Sequence, residues 1–211
     1  MMKRIPFLSS WFGSCWLLCL LTLACGQDLP TDLPILGFVE VNEAGDTLYH
    51  QIPDFALVDQ DSNLITQELV EGKVYVADMF FTSCPTICPK MSQQMLRLHD
   101  SLLNEPRVVL ISHTIDPEHD TVAVLNEYAT ALGIQTEKWH MLTGEKEVIY
   151  DLAAEYMVSA AEDPDAPGGF IHSGAFILVD TERRVRGFYD GTIPEKVDEL
   201  LRDLRWLLDN G

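Results

Sequence analysis

Cys84 and Cys88 stand four positions apart in FFTSCPTICPKM (Phe80–Met91), and each is followed by proline. The spacing is one residue wider than the C-x-x-C of disulfide exchange. The run before it, KVYVADMFF (Lys73–Phe81), is a mostly apolar string of β-branched and aromatic residues, as expected of a strand buried on both faces. The run after it, Pro89–Leu103, carries Met91, Met95, Leu98 and Leu102 at helical spacing. Cys84 therefore follows a strand and Cys88 opens a helix, where unpaired N–H groups and partial positive charge favour thiolate. Residues four apart on a helical turn face one side, so the two sulfurs can converge on one ion or close as a disulfide. The three-residue spacer leaves a loop roomy enough for a metal, and spacing alone leaves both chemistries open.

The elements that must position this pair can be read on either side of it. Ile52–Thr66 alternates apolar and polar residues around a turn at Gln60–Asn63 and predicts a hairpin. Val108–Ile115 is a second buried strand, Thr121–Leu132 a helix stopped by Gly133, Trp139–Leu142 a short strand and Glu145–Tyr156 a helix. Ala175–Asp180 and Val185–Asp190 predict a hairpin across TERR. Pro194–Leu208 predicts a closing helix, with Thr192 and Glu195 as its capping box. Buried strands joined through helices imply parallel crossovers, and the terminal hairpin makes the sheet mixed. The pattern is that of an α/β, thioredoxin-like fold: a central mixed sheet flanked by helices, with an N-terminal hairpin and inserted elements.

In such a sheet the strand Ala175–Asp180 lies beside the one that leads to the cysteines. His172, in GGFIHSGAFILVD, stands at its mouth after a flexible loop, Asp163–Gly169, so it faces the thiols. Oxidoreductases of this class place a cis-proline there, and Ile171–Ala175 contains none. That counts against a general disulfide exchanger and favours two sulfurs and one nitrogen around a metal. Thiolates with imidazole suit copper(I); zinc prefers four ligands, and the folded region offers no second cysteine pair. Asp78, six residues before Cys84, is read as a buried acid with a raised pKa, serving either as a proton relay or as a group satisfied by a nearby hydroxyl. Met91, Met95 and His99 read as core filler rather than a copper stripe. His113 reads as a hydrogen-bonded core residue and His119 as a solvated loop residue. Asp116 and Asp120 are expected to organise their loop and cap the next helix, while His50 and His140 carry no supporting context.

The net charge of −19 repels phosphate backbones and argues against nucleic-acid binding. Lys3 and Arg4 precede a 14-residue apolar stretch, Trp11–Ala24, short for a membrane span and suited to a signal peptide. It ends in LTLACG, resembling a lipoprotein box in which Cys25 is lipidated. An uncleaved anchor and ordinary cleavage are the alternatives, and each places the domain outside the cytoplasm. The expected division is a leader over 1–25, a tether and extension over 26–50, and the folded domain over 51–211. With Cys15 and Cys19 in the leader, only Cys84 and Cys88 remain for the fold.

Three separated stretches resemble the Sco/SenC family of copper-handling proteins that assist cytochrome c oxidase assembly. FFTSCPTICPKM matches its C-P-x-x-C-P signature, TIDPEHDT (Thr114–Thr121) its D-P-x-x-D-T segment, and HSGAFILVD (His172–Asp180) its metal-binding histidine before a strand. The resemblance implies copper held by Cys84, Cys88 and His172 and delivered to the copper A centre of the oxidase's copper-bearing subunit, directly or through another copper chaperone. It also implies redox activity of Cys84 and Cys88; copper(II) stays open beside copper(I), because oxidising the pair to a disulfide removes its ligands. Many members have aspartate between the cysteines where this chain has Thr86, which removes a negative charge near the site. Three rival functions use the same residues. One is a thiol–disulfide oxidoreductase acting on acceptor cysteines. Another is a copper or redox sensor. The third is a peroxide reductase, for which T-x-C is one residue short of the usual T-x-x-C.

Overall fold

A computed structural model of the chain describes residues 32–211; the leader, Cys25 and most of the tether lie outside the described residues. The centre is three parallel strands, β5 (Val74–Phe80), β6 (Val108–Thr114) and β7 (Trp139–Thr143). All three are buried along their whole length, which is why apolar residues run consecutively through them rather than alternating, and why their polar members Asp78, Ser112 and His113 are buried too. Antiparallel hairpins extend the sheet on both sides. One is β3 (Ala56–Asp59) with β4 (Leu64–Thr66), and the other is β10 (Ala175–Val179) with β11 (Val185–Asp190). The order is β11-β10-β5-β6-β7-β3-β4, a mixed sheet of seven strands. Among the described residues four α-helices complete the thioredoxin-like fold: α1 (Cys88–Leu102), α2 (Val122–Leu132), α3 (Lys146–Glu155) and α4 (Pro194–Asn210).

The parallel centre gives the molecule two poles. The C-terminal ends of β5, β6 and β7 share one pole with the Ala175 end of β10; the turn Thr181–Arg184 lies at the other. Two small hairpins stand outside the sheet. The first is β1 (Val39–Val41) with β2 (Thr47–Tyr49), and the second is β8 (Ala160–Glu162) with β9 (Phe170–His172). The segment 163–169, expected as a flexible loop, is the turn of that second hairpin.

Helix ends follow the sequence in one case and depart from it in two. Gly133, at φ 69°, closes α2 with its N–H on the carbonyls of Ala129 and Thr130. The capping box expected for α4 does not form. Ile193 holds the capping position without a side-chain bond, and the Thr192 hydroxyl and N–H both bond to Asp190 Oδ1, at 2.6 and 2.8 Å. A tight local turn outcompetes the cap. Asp120 does not cap α2 either, because its carboxylate is committed elsewhere.

His113 also departs from expectation. It is fully buried between Phe55 and Tyr156, and neither ring nitrogen has a hydrogen-bond partner among the described residues. Burial lowers its pKa from 6.5 to about 3. Below pH 6.5 the unfolded chain takes up a proton that the folded chain refuses, so stability falls as pH drops toward 3. His113→Leu removes this liability and the two orphaned nitrogens. Urea unfolding at pH 5 is expected to give roughly 2 kcal/mol more stability than wild type, with a smaller difference at pH 8.

Candidate metal centre

β5 delivers the chain to the site pole and Phe80–Phe81 end it; the Cys84 N–H then closes a turn on the Phe81 carbonyl. Asp120 fixes the backbone between. Fully buried, it accepts the Thr82 N–H at 2.9 Å, the Thr114 hydroxyl at 2.6 Å and the Thr82 hydroxyl. His119, more than half exposed, adds its Nδ1 at 2.9 Å. The D-P-x-x-D-T stretch thus clamps the residue two places before Cys84 to the end of β6. Asp116 spends its own N–H on the Thr114 hydroxyl, and both aspartates organise the loop as expected.

Cys84 and Cys88 are both free and buried, with Cys88 at the first turn of α1. Burial alone would raise both thiols. At Cys84 that effect is outweighed by a hydrogen bond from the Cys88 thiol and by the N–H groups of Thr86 and Cys88, so its pKa falls below the ordinary cysteine value. The Thr86 hydroxyl, 3.7 Å from Cys84 Sγ, acts in the same direction. At Cys88 burial and donation to Cys84 add, and its pKa rises. Iodoacetamide at neutral pH should therefore modify Cys84 faster than Cys88 by about ten-fold or more, as read by peptide mass mapping. Equal rates would contradict this polarity.

His172 ends β9, whose register sets it opposite Ala160. Its Nδ1 lies 3.0 Å from the Ser173 carbonyl, which can only accept, so Nδ1 carries the proton. Burial lowers the pKa and keeps the ring neutral, leaving Nε2 bare 3.3 Å from Cys88 Sγ. Phe81 meets the ring edge-on at 5.7 Å. The hairpin can sit this close because Gly168 is at φ 82°, where a Cβ would come within 2.8 Å of Phe81. One donor atom each from Cys84, Cys88 and His172 lie within 4.8 Å of one another. A groove of about 190 Å³ opens beside them, lined in part by Thr86, Ile87, Pro167 and Ile171. The donor set fits a soft, low-coordinate ion.

The remaining candidates lie elsewhere. Met91 and Met95 are core residues, and His99 Nε2 accepts the Gln135 N–H at 2.9 Å. His50 bonds the Glu155 carbonyl at 2.8 Å, and buried His140 pairs with Asp59 at 3.2 Å. Asp78 is buried on β5, and its charge is one of the influences that raise Cys88. Its Oδ1 accepts the Ser112 hydroxyl at 2.5 Å, and Ser112 Oγ in turn accepts Trp139 Nε1–H at 2.9 Å. Burial raises its pKa to about 7 despite the Ser112 bond. Sequence reasoning found the acid but not Ser112, which faces it only through the β5–β6 register.

Comparison with known proteins agrees with this architecture. The SCO1/SenC family model matches residues 44–209. Among solved structures, a SCO1/SenC family lipoprotein from Bacillus anthracis is 27% identical with a TM-score of 0.69, covering 75% of this chain and 95% of its own. BsSco, a member of the Sco family of cytochrome c oxidase assembly proteins, is 28% identical with a TM-score of 0.66, covering 77% and 95%. Arabidopsis thaliana ScoI with copper bound is 27% identical with a TM-score of 0.61, covering 73% and 98%. With the matched segment spanning most of the folded chain, the protein belongs to the SCO1/SenC family.

Proposed function

We propose that this chain is an extracytoplasmic copper(I) carrier, held to a membrane by its N-terminal segment, that supplies the copper A site of cytochrome c oxidase during assembly. The observation that carries the reading is the convergence of the two cysteine sulfurs and a bare imidazole nitrogen at one pole of the sheet. Copper-bound ScoI and the oxidase-assembly relative BsSco support the cargo and the pathway. Copper(I) accepts three soft ligands. Two thiolates leave the loaded site with one net negative charge, and the N-terminus of α1 offsets it. His172 sits on a short two-stranded hairpin rather than in the main sheet. Withdrawing that hairpin would leave a two-sulfur site open to attack by an acceptor thiol. Leader 1–25, tether 26–50 and a lipid on Cys25 complete the reading, with the B. anthracis lipoprotein as a parallel.

The polarised thiol pair favours a second reading, a thiol–disulfide oxidoreductase in which Cys84 attacks and Cys88 resolves. One experiment separates the two. Protein loaded with one copper(I) is mixed anaerobically with the reduced, metal-free copper-bearing subunit, and separately the reduced, copper-free protein is mixed with that subunit in its disulfide form. The carrier predicts movement of copper into the subunit. Thiol exchange without copper transfer would select the oxidoreductase.

A further inference from the structure

The β1–β2 hairpin leaves large apolar side chains in solvent and lies at the pole opposite the thiols. Both of its ends are fastened there: the Leu36 N–H bonds the Val185 carbonyl at 2.8 Å and the Ile52 N–H bonds the Arg183 carbonyl at 2.9 Å. Arg186 pins the entering chain to the same pole through the carbonyls of Leu33 and Pro34. Gly37, at φ 110°, lets the hairpin fold over His50, whose Cβ would lie 2.8 Å from any side chain added there. The seven residues of β5 put about 20 Å between this pole and the metal centre.

Register sorts the hairpin into two faces. Val39 pairs with Tyr49 and Val41 with Thr47, so these four share one face, and it carries no charge. Val41 is 69% exposed, Val39 56% and Tyr49 42%. Glu40 and Leu48 take the other face. A two-stranded hairpin is marginal in water on its own, and monomeric proteins seldom leave such residues clustered in solvent. The apolar stretch Trp11–Ala24 precedes it in the chain, and residues 25–31, which reach about 25 Å at full extension, separate that stretch from the first described residue. The hairpin is therefore the folded element held nearest to any bilayer that takes up the leader.

We propose that the Val39–Val41–Tyr49 face of this hairpin rests on the bilayer surface as a second membrane contact, directing the metal centre away from the membrane. The inference rests on the reading that the N-terminal segment anchors the chain. It commits to a zwitterionic surface: residues 32–52 contain no Lys or Arg, while Glu40, Glu43 and Asp46 repel anionic headgroups. The aromatic ring of Tyr49 suits the interfacial layer. The polar turn Asn42–Asp46, tied by Asn42 Oδ1 to the N–H groups of Ala44 and Asp46, keeps the tip out of the hydrocarbon, so the hairpin lies flat.

The test uses the mature chain, lipidated at Cys25, in phosphatidylcholine vesicles with brominated acyl chains, which quench nearby indoles. Val41→Trp is compared with Leu64→Trp, whose site is 68% exposed on β4 near the thiol pole, and with wild type, whose flotation with the vesicles reports anchoring. The expected result is about a two-fold loss of the added emission for Val41→Trp, none for Leu64→Trp, and a weaker loss when anionic lipid is mixed in. Flotation without quenching at position 41 would overturn the proposal while leaving anchoring intact. A blue shift at position 41 that depends on protein density but not on bromine would overturn it in favour of a second copy covering the face. Absence of flotation would overturn the anchoring reading and the proposal with it.

Discussion

Asp78→Asn is expected to make the protein more stable at pH 8 by roughly 3 kcal/mol. The acid's pKa is raised from 3.8 to about 7 because it is taken out of water with one hydroxyl as its partner. Between pH 4 and 7 the folded chain holds a proton that the unfolded chain has released. The stabilisation is therefore complete below pH 4, declines across this window and is gone above pH 7. Asparagine keeps an acceptor for Ser112 and never ionises. Urea unfolding of variant and wild type should converge near pH 4 and separate as pH rises. Parallel pH profiles would contradict the assignment. The same variant tests the proton relay, since an unchanged Cys84 pKa would confine Asp78 to a structural role.

Asp120→Ala is expected to cost about 4 kcal/mol of stability. It strands the Thr114 hydroxyl in the interior and takes the acceptor from the half-buried Thr82 N–H and hydroxyl. Asp120→Asn retains one acceptor oxygen and should cost about half as much. Because the clamp holds the backbone two residues before Cys84, both variants are also expected to weaken copper(I) retention, by ten-fold or more, as groups that orient metal ligands commonly do. Chemical denaturation and chelator competition read the two effects separately. Unaltered copper retention in a folded Asp120→Asn protein would show that the clamp serves stability alone.

The limits of the sequence can be stated residue by residue. β5, β6 and β7 were legible because burial on both faces writes consecutive rather than alternating apolar residues. His172 was legible from its place before β10, which pairs with β5. The Asp120–Thr82 clamp joins residues 38 positions apart, and Asp78–Ser112 joins residues 34 apart. Neither follows from local pattern, because strand register decides who meets whom. The hairpins β1–β2 and β8–β9 have three-residue strands, too short for alternation to register. The α4 capping box matched in spacing and lost to Asp190, a competitor two residues before Thr192 that the motif ignores. His113 looked like a core histidine in need of a partner; its neighbours Phe55 and Tyr156 present ring faces and edges instead.

The proposed copper(I) site of Cys84, Cys88 and His172 is read out by anaerobic titration of the reduced protein against a chromogenic chelator, with His172→Ala in parallel. One tightly held copper per chain is expected in wild type, with retention at least ten-fold weaker in the variant. Binding of equal strength with and without His172 would contradict it.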